Sequence, residues 1–166
     1  MGYPQYSLKK IDATENSVRF VYMPLIVKKL ESLEETEAVR LLRMKVFVDE
    51  QGVPPEIEMD EFDDVAIHAI AYKSGLVVGT GRLILDTDTD ARIGRMAVDA
   101  ALRRTGVGSA LLGFLENEAR SHGIKQVTLH AQSYVKHFYT KYGYQERGNP
   151  FFEAGILHIE MIRNIE

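Results

Sequence analysis

The segment GRMAVDAALRRTGVGS, residues 94–109, joins a short apolar strand to a long helix through a basic loop that holds two glycines. The first N–H groups of a helix have no partner inside the helix, and the helix dipole makes this end positive. Glycine lets a ligand approach the backbone closely, and Arg103 and Arg104 can add charge-assisted hydrogen bonds to an anion. The segment therefore predicts a phosphate-binding loop.

Two other phosphate loops fit this segment less well. A dinucleotide-binding fingerprint requires a third glycine where the chain has Leu111, and an acidic residue about 20 positions further on, where His130-Ala131-Gln132 offers none. A P-loop requires Gly-Lys-Ser/Thr, which the sequence lacks. An oxidoreductase with a degenerate loop, or a glycine pair that serves only packing, stay open as alternatives.

Hydrophobic periodicity on both sides of the loop predicts alternating strands and helices. Glycines at 123 and 143 end two of the helices, and Ser133 is a candidate N-cap for the last one. The order predicts an α/β (mixed α+β) fold, a mixed sheet with helices on its faces. The predicted elements are strand Leu25–Leu30, helix Glu34–Val48, strands Ala66–Lys73, Leu76–Leu85 and Arg92–Val98, helix Gly108–His122, strand Gln126–His130, helix Tyr134–Tyr142, and strands Tyr144–Glu146 (extending toward Phe152) and Ile156–Ile162.

The chain of 166 residues fits a single domain at residues 25–166, preceded by an N-terminal extension at 1–24 with room for one added strand. Residues 52–64 hold two prolines and six acidic residues, which predicts a loop or a short broken helix. This acidic segment is either a solvated surface or a negative rim that attracts a cationic amine.

Composition excludes several classes of protein. The net charge is −4 and the pI about 5.8, so neither nucleic acid nor an anionic membrane is an expected partner. The absence of cysteine excludes disulfides, thiolate zinc sites and a cysteine nucleophile. The sequence has no apolar run near the ~20 residues of a membrane helix, and no apolar signal core at its start. We therefore expect a cytoplasmic protein.

Three landmarks in register resemble the GNAT superfamily of N-acetyltransferases. Arg103-x-x-Gly106-x-Gly108 matches the superfamily's Arg/Gln-x-x-Gly-x-Gly/Ala signature, and a strand ending in Met96-Ala97-Val98 precedes it. Phe138-Tyr139-x-Lys141-x-Gly143-Tyr144 is similar to the usual segment after the next strand. A narrower resemblance to the ElaA-like branch is carried by Arg43-x-x-Val46-Phe47-Val48-x-Glu50-Gln51, Asp60-x-x-Asp63, His68, Ala131-Gln132 and Gly155-Ile156-x-His158.

The resemblance implies a GNAT-like fold: a mixed, mostly antiparallel sheet of about seven strands with one splayed parallel pair, and helices on both faces. It also implies that acetyl-CoA lies in the wedge between strands Arg92–Val98 and Gln126–His130, as the acetyl donor. The implied contacts to it are Met96, Ala97, Val98, Arg103, Arg104, Thr105, Gly106, Val107, Gly108, Ser109, Gln132 and Tyr139.

Acetylation of an amine requires two proton movements: the ammonium must lose a proton before it attacks, and the leaving thiolate must gain one. Tyr139 matches the family's tyrosine acid, and its other interpretation is a half-buried packing residue. Glu50 and His158 are the candidate bases, with His68 and His130 as further possibilities. We expect no metal, because His130 and His158 have no recognisable third ligand.

The expected function is N-acetylation of a primary amine, on a small molecule or a protein terminus, by direct attack in a ternary complex. The alternative is a non-catalytic module that binds CoA or acetyl-CoA. Terminal strands at a sheet edge would also permit a homodimer. The sequence does not indicate which amine is the acceptor.

Overall fold

The structure, a computed structural model, describes residues 8–10 and 20–165. Strands β1 (Leu8–Lys10) and β2 (Phe20–Tyr22) pair antiparallel in a small sheet of their own. Residues 1–7 and 11–19 of the predicted extension lie outside the described residues. The division at residue 24 stays a prediction.

Seven strands form the main sheet, in the spatial order β3-β4-β5-β6-β7-β9-β8. Every neighbouring pair is antiparallel except β6 and β7. This confirms the predicted mixed, mostly antiparallel sheet. Its strands are β3 (Leu25–Lys29), β4 (Ile67–Lys73), β5 (Leu76–Leu85), β6 (Asp90–Val98), β7 (Gln126–Gln132), β8 (Gln145–Glu153) and β9 (Ile156–Asn164).

The parallel pair separates soon after it begins. β6 and β7 pair only from Asp90 with Gln126 to Arg92 with Thr128, although β6 continues to Val98. Beyond that point β6 carries an extra residue relative to β5, and a bulge of this kind bends and twists a strand. The result is the predicted splay, a wedge open between the two strands.

The described residues form four α-helices, of which α1 and α3 make the main contacts with the sheet: α1 (Leu33–Arg43), α2 (Pro55–Glu58), α3 (Val107–Ser121) and α4 (Lys136–Lys141). The first predicted helix is correct in type, but it continues as a π-helical segment over Met44–Glu50. A short 3-10 turn, Glu61–Asp64, follows α2. No helix in the part of the chain that the structure describes is long and apolar enough to cross a membrane.

The main core lies between α3 and the sheet. Leu111, Leu112 and Leu115 of α3 are fully buried in it. Two glycines of β5 allow this close packing: a Cβ at Gly79 would lie 2.8 Å from Leu111 Cδ1, and one at Gly81 would lie 2.8 Å from Leu115 Cδ1. On the other face a smaller cluster joins Leu42 and Val46 to Ala97.

The start of α4 differs from the prediction. Val135 precedes the helix and no side chain caps it, so Ser133 is not its N-cap. The strand predicted at Gln126–His130 is longer in the structure, because Ala131 and Gln132 also belong to β7. Gln132 is therefore on a strand, opposite His158 of β9.

Candidate active site

The wedge between β6 and β7 opens into a cleft with a volume of about 380 Å³. One wall comes from the helical segments before β4, and the other comes from β7, α4 and the β8–β9 hairpin. Its apolar lining includes Phe47, Val53, Ile57, Phe62, Met96 and Val135, and its polar lining includes Glu58, Asp60, Arg82, Arg95, His130, Gln132, Tyr139, Glu153 and His158.

The N-terminus of α3 has the properties expected of an anion site. Gly106 precedes the helix with φ 95°, a left-handed conformation that suits glycine, and no side chain of the described chain caps this end. The first helical bond runs from Ala110 N–H to Gly106 O, which leaves the earlier N–H groups without a helical acceptor. The Thr105 hydroxyl donates to Leu102 O at 2.7 Å and fixes the preceding loop. The terminus can therefore hold a phosphate group.

Glu50 lies on the phosphate loop and not in the cleft. Its carboxylate pairs with the guanidinium of Arg103, whose Nε also donates to Val98 O at 3.0 Å. Glu50 is absent from the cleft lining. Its carboxylate is directed at Arg103 and away from the cleft, whereas His158 lines the cleft, so the placement favours His158 over Glu50 as the base.

Tyr139 of α4 lines the cleft and is only 8% exposed. Its ring makes edge contacts with Phe138 and Tyr144, at centroid distances of 4.9 and 5.9 Å. Burial raises the pKa of Tyr139 to about 12. The hydroxyl therefore stays protonated at neutral pH and can donate a hydrogen bond or a proton into the cleft.

His158 also lines the cleft and is nearly buried. Its Nδ1 lies 2.8 Å from Ile156 O, and since a carbonyl can only accept, Nδ1 must carry the proton. This leaves Nε2 of the neutral ring with a lone pair. Phe151 stacks on the ring at 6.0 Å and holds its plane.

A second histidine of the cleft is paired with a carboxylate. His130 Nδ1 lies 3.0 Å from Glu153 Oε2, and the edge of Phe151 contacts the His130 ring at 4.8 Å. Glu153 could not be recognised as a partner of His130 from the sequence, because it lies two strands away and only the order β7-β9-β8 brings them together. His68, a further predicted possibility, bonds Asp63 O at 2.9 Å and lies outside the cleft.

Gln132 lies at the mouth of the wedge, as predicted. Its Nε2 donates to Gln51 Oε1 at 2.9 Å, and its Oε1 accepts from the Tyr134 hydroxyl. These contacts join β7 to the end of the π-helical segment. Their partners, Gln51 and Tyr134, were not identified from the sequence.

Neither interpretation of the acidic segment is correct in full. Glu58 is 1% exposed and accepts from Arg43 Nε at 2.7 Å, and Asp63 accepts from Arg43 Nη1 at 2.6 Å. Asp60 accepts from Arg82 Nη1 at 2.6 Å. Three carboxylates are thus matched by arginines, and the other three acidic side chains of the segment, Glu56, Glu61 and Asp64, are exposed.

The phosphate loop and Tyr139 are close neighbours in the fold. A Cβ at Gly108 would lie 3.7 Å from Phe138 Cζ and 3.9 Å from Val98 Cγ2. The start of α3, the end of β6 and α4 therefore meet at one point of the wedge.

Comparison with known proteins agrees with this geometry. Residues 31–165 match the family model "Acetyltransferase (GNAT) domain". The uncharacterized N-acetyltransferase YjcF of Bacillus subtilis (strain 168) is 34% identical over 141 residues, covering 84% of this chain and 98% of YjcF. Protein ElaA of Escherichia coli (strain K12) is 34% identical over 139 residues, covering 81% and 90%.

Solved structures agree in fold. The crystal structure of Escherichia coli ElaA superposes with a TM-score of 0.73 at 29% identity, covering 86% of this chain and 99% of that one. An aminoglycoside 6'-N-acetyltransferase complexed with coenzyme A gives a TM-score of 0.70 at 19% identity, covering 85% and 97%, which shows a shared fold alone. This chain belongs to the GNAT family of acetyltransferases and is an acyltransferase, with ElaA among its relatives.

Proposed function

We propose that this enzyme transfers an acetyl group from acetyl-CoA to a primary amine, by direct attack of the amine on the thioester in a ternary complex. Membership of the GNAT family implies acyl transfer from an acyl-CoA. The observation that carries the finer proposal is the wedge, which leads from the uncapped start of α3 to a cleft lined by Tyr139 and His158. One end suits a pyrophosphate and the other suits proton transfer.

The donor would be held mainly by main-chain groups. The N–H groups of Val107, Gly108 and Ser109 would bind the pyrophosphate, with Arg103 and Arg104 adding charge. Met96, Ala97 and Val98 lie on the part of β6 that β7 no longer pairs, so peptide groups on that side of the strand suit the amides of pantetheine, although Val98 O already accepts from Arg103. Gln132 faces them across the mouth of the wedge.

His158 is proposed as the group that removes the ammonium proton. Its Nδ1–H is fixed on Ile156 O, so the lone pair of Nε2 is the basic site. As the C–S bond breaks, Tyr139 is proposed to protonate the CoA thiolate. A group positioned in this way typically contributes ~10²–10⁴-fold to the rate.

The test is release of CoA thiol from acetyl-CoA in the presence of a library of primary amines. We expect at least one amine to stimulate thiol release, with formation of its N-acetyl product. Binding of acetyl-CoA without turnover on the whole library would favour the alternative, a non-catalytic CoA-binding module.

A thermal-shift measurement tests the donor independently of any acceptor. Acetyl-CoA and CoA should raise the melting temperature, since a ligand at a hundredfold excess over its Kd stabilises the native state by about 2.7 kcal/mol. NAD and ATP should raise it weakly or not at all. An equal shift with NAD would contradict the donor assignment.

A further inference from the structure

Arg95 has an unusual backbone conformation in the middle of a central strand. Its φ is 51°, in the left-handed region that residues other than glycine avoid. The other non-glycine residues with positive φ in the described chain, Ser74, Arg104 and Ala154, all lie in turns. Such a conformation persists only where the surroundings hold it, and it often marks a functional position.

The strained residue is the bulge of β6. Gly94 lies opposite Arg82 and Ala97 opposite Thr80, so β6 has one residue more than β5 over this stretch. The bulge begins just after the pairing with β7 ends at Arg92. Its geometry therefore sets the direction of the unpaired peptide groups that face the wedge.

The Arg95 side chain ties this bulge to the opposite wall of the cleft. Its Nε donates to Glu58 O at 2.9 Å, and its Nη2 donates to Ile57 O at 3.1 Å and to Asp60 Oδ2 at 3.0 Å. Two of these acceptors are main-chain carbonyls, which an arginine fork can reach together and a lysine cannot. One side chain thus fixes the spacing between β6 and the Ile57–Asp60 segment.

The wall that receives Arg95 is itself rigid. Arg43 donates to Glu58 Oε1 at 2.7 Å and to Glu58 O at 2.8 Å, so the carbonyl that binds Arg95 is held from two sides. Asp60 is also held by Arg82, the residue opposite Gly94. The side chains of Arg43, Glu58 and Arg82 are at most 6% exposed.

We propose that Arg95 is a positioning residue for acyl transfer: its guanidinium holds the β6 bulge against the Ile57–Asp60 segment and thereby aligns the main chain of residues 95–98 with the thioester. The inference rests on the proposed use of acetyl-CoA as donor. Arg95 does not take part in proton transfer. Its effect is on alignment, and a misplacement of about 1 Å can cost on the order of 10²-fold in rate.

Arg95→Gly removes the side-chain hydrogen bonds to residues 57–60 and keeps the backbone conformation, because glycine adopts φ 51° without strain. We expect kcat for thiol release to fall ~10–100-fold, by the alignment argument. CoA affinity should fall less than kcat, because the α3 terminus that would bind the pyrophosphate is untouched. Arg95→Lys keeps the positive charge beside Asp60 but loses the planar guanidinium that reaches several acceptors, so its kcat should be intermediate. This variant is also the substitute test if Arg95→Gly does not fold.

Ser74→Gly is the matched control. Ser74 has φ 56° in the turn between β4 and β5, away from the cleft, so its replacement relieves a similar strain without removing a tether. Its kcat and KM should equal those of the unchanged enzyme. A fall in kcat for Arg95→Gly alone assigns the effect to the side chain.

Amide hydrogen exchange supplies a readout that does not need an acceptor. Arg95→Gly should speed exchange at residues 95–98 and 57–60 and leave α3 unchanged. Unaltered exchange, or faster exchange with an unaltered kcat, would overturn the proposal. If the unchanged enzyme turns over no amine, the proposed function has failed, and the exchange rates alone then decide whether Arg95 holds the bulge.

Discussion

At the scale of single residues, the hydroxyl of Tyr139 distinguishes a catalytic acid from a packed aromatic. Tyr139→Phe keeps the ring contacts with Phe138 and Tyr144, so the melting temperature should change little. Thiol release at saturating acetyl-CoA should fall ~10²–10⁴-fold if the hydroxyl donates the proton. Tyr142→Phe, at the end of the same helix and outside the cleft lining, is the control and should behave as the unchanged enzyme. Equal rates for both variants would make Tyr139 a packing residue.

The raised pKa of Tyr139 also has a consequence for pH dependence. A phenol ordinarily loses its proton near pH 10, but burial raises the pKa of Tyr139 to about 12. Its proton is therefore present throughout the neutral and moderately alkaline range. A loss of rate between about pH 8 and 10 would have to come from another group.

His130 and His158 can be compared directly, because in each the Nδ1 atom has a hydrogen-bond partner and Phe151 contacts the ring. We expect His158→Gln to lower kcat ~10²-fold or more, because the variant has no ring nitrogen to accept the proton of the amine. His130→Gln should have the smaller effect, since His130 lies nearer solvent and pairs with Glu153. The opposite ranking would assign the base to the His130–Glu153 pair.

At the scale of elements, the start of α3 carries a separate prediction. The space beside Gly108 lies between Phe138 and Val98, where the pantetheine arm would pass. Gly108→Val should therefore weaken CoA binding, as measured by titration calorimetry, more than it lowers stability. Gly113→Val, in the same helix with open space around its Cβ position, controls for the effect of valine on the helix and should bind CoA normally. Normal binding by Gly108→Val would place the pyrophosphate elsewhere.

Helices and strands with a clear hydrophobic periodicity, or with glycines at their ends, could be predicted from the sequence. Helix α3 is an example. Its apolar stripe and the glycines at its two ends predicted residues 108–122, and each predicted end is one residue from the observed end. The π-helical segment after α1 could not be predicted, because its pattern differs little from that of an α-helix over two turns. The bulge at Arg95 was equally hidden, since no glycine marks the positive φ.

The candidate site also has parts that the sequence could predict and parts that it could not. The predicted phosphate loop is contiguous in sequence, so a local pattern is enough to predict it. The pairs Glu50–Arg103 and His130–Glu153 join residues far apart in the chain, and only the tertiary fold brings them together. The charged residues of the acidic segment gave no signal of burial, because their arginine partners lie on α1, β5 and β6.

At the scale of the whole molecule, the buried ion network joins the two sides of the cleft. Arg43 comes from the end of α1, Arg82 from β5 and Arg95 from β6, and all three meet the acidic segment between α2 and β4. Because each carboxylate has a nearby guanidinium, the network adds little net charge to the cleft. Its contribution is to fix the shape of the wall, and its stability should depend on pH.

Asp63 is the group through which this pH dependence can be measured. Burial by itself raises the pKa of Asp63, but hydrogen bonds and charge from Arg43, with further bonds from Asp60 N–H and Arg82, outweigh burial and hold the pKa well below its ordinary value. A carboxyl whose folded pKa lies below its unfolded pKa of about 3.9 stabilises the fold above that pH, and the stabilisation is lost as the pH falls through the folded pKa.

Asp63→Asn should therefore destabilise the protein at neutral pH and progressively less in acid. Removing one partner of a buried ion pair costs about 3–5 kcal/mol, because the arginines Arg43 and Arg82 would be left short of a counter-charge. Urea unfolding at pH 7, 5, 4 and 3 gives the free energy at each pH. We expect the difference from the unchanged protein to be constant at pH 7 and 5 and to shrink below about pH 4, where Asp63 of the unfolded chain begins to bind a proton that the folded state does not yet bind. Asp64→Asn, at an exposed neighbouring position, should change stability by less than about 0.5 kcal/mol at every pH. A difference for Asp63→Asn that stays the same from pH 7 to pH 3 would show that the carboxylate charge does not stabilise this wall of the cleft.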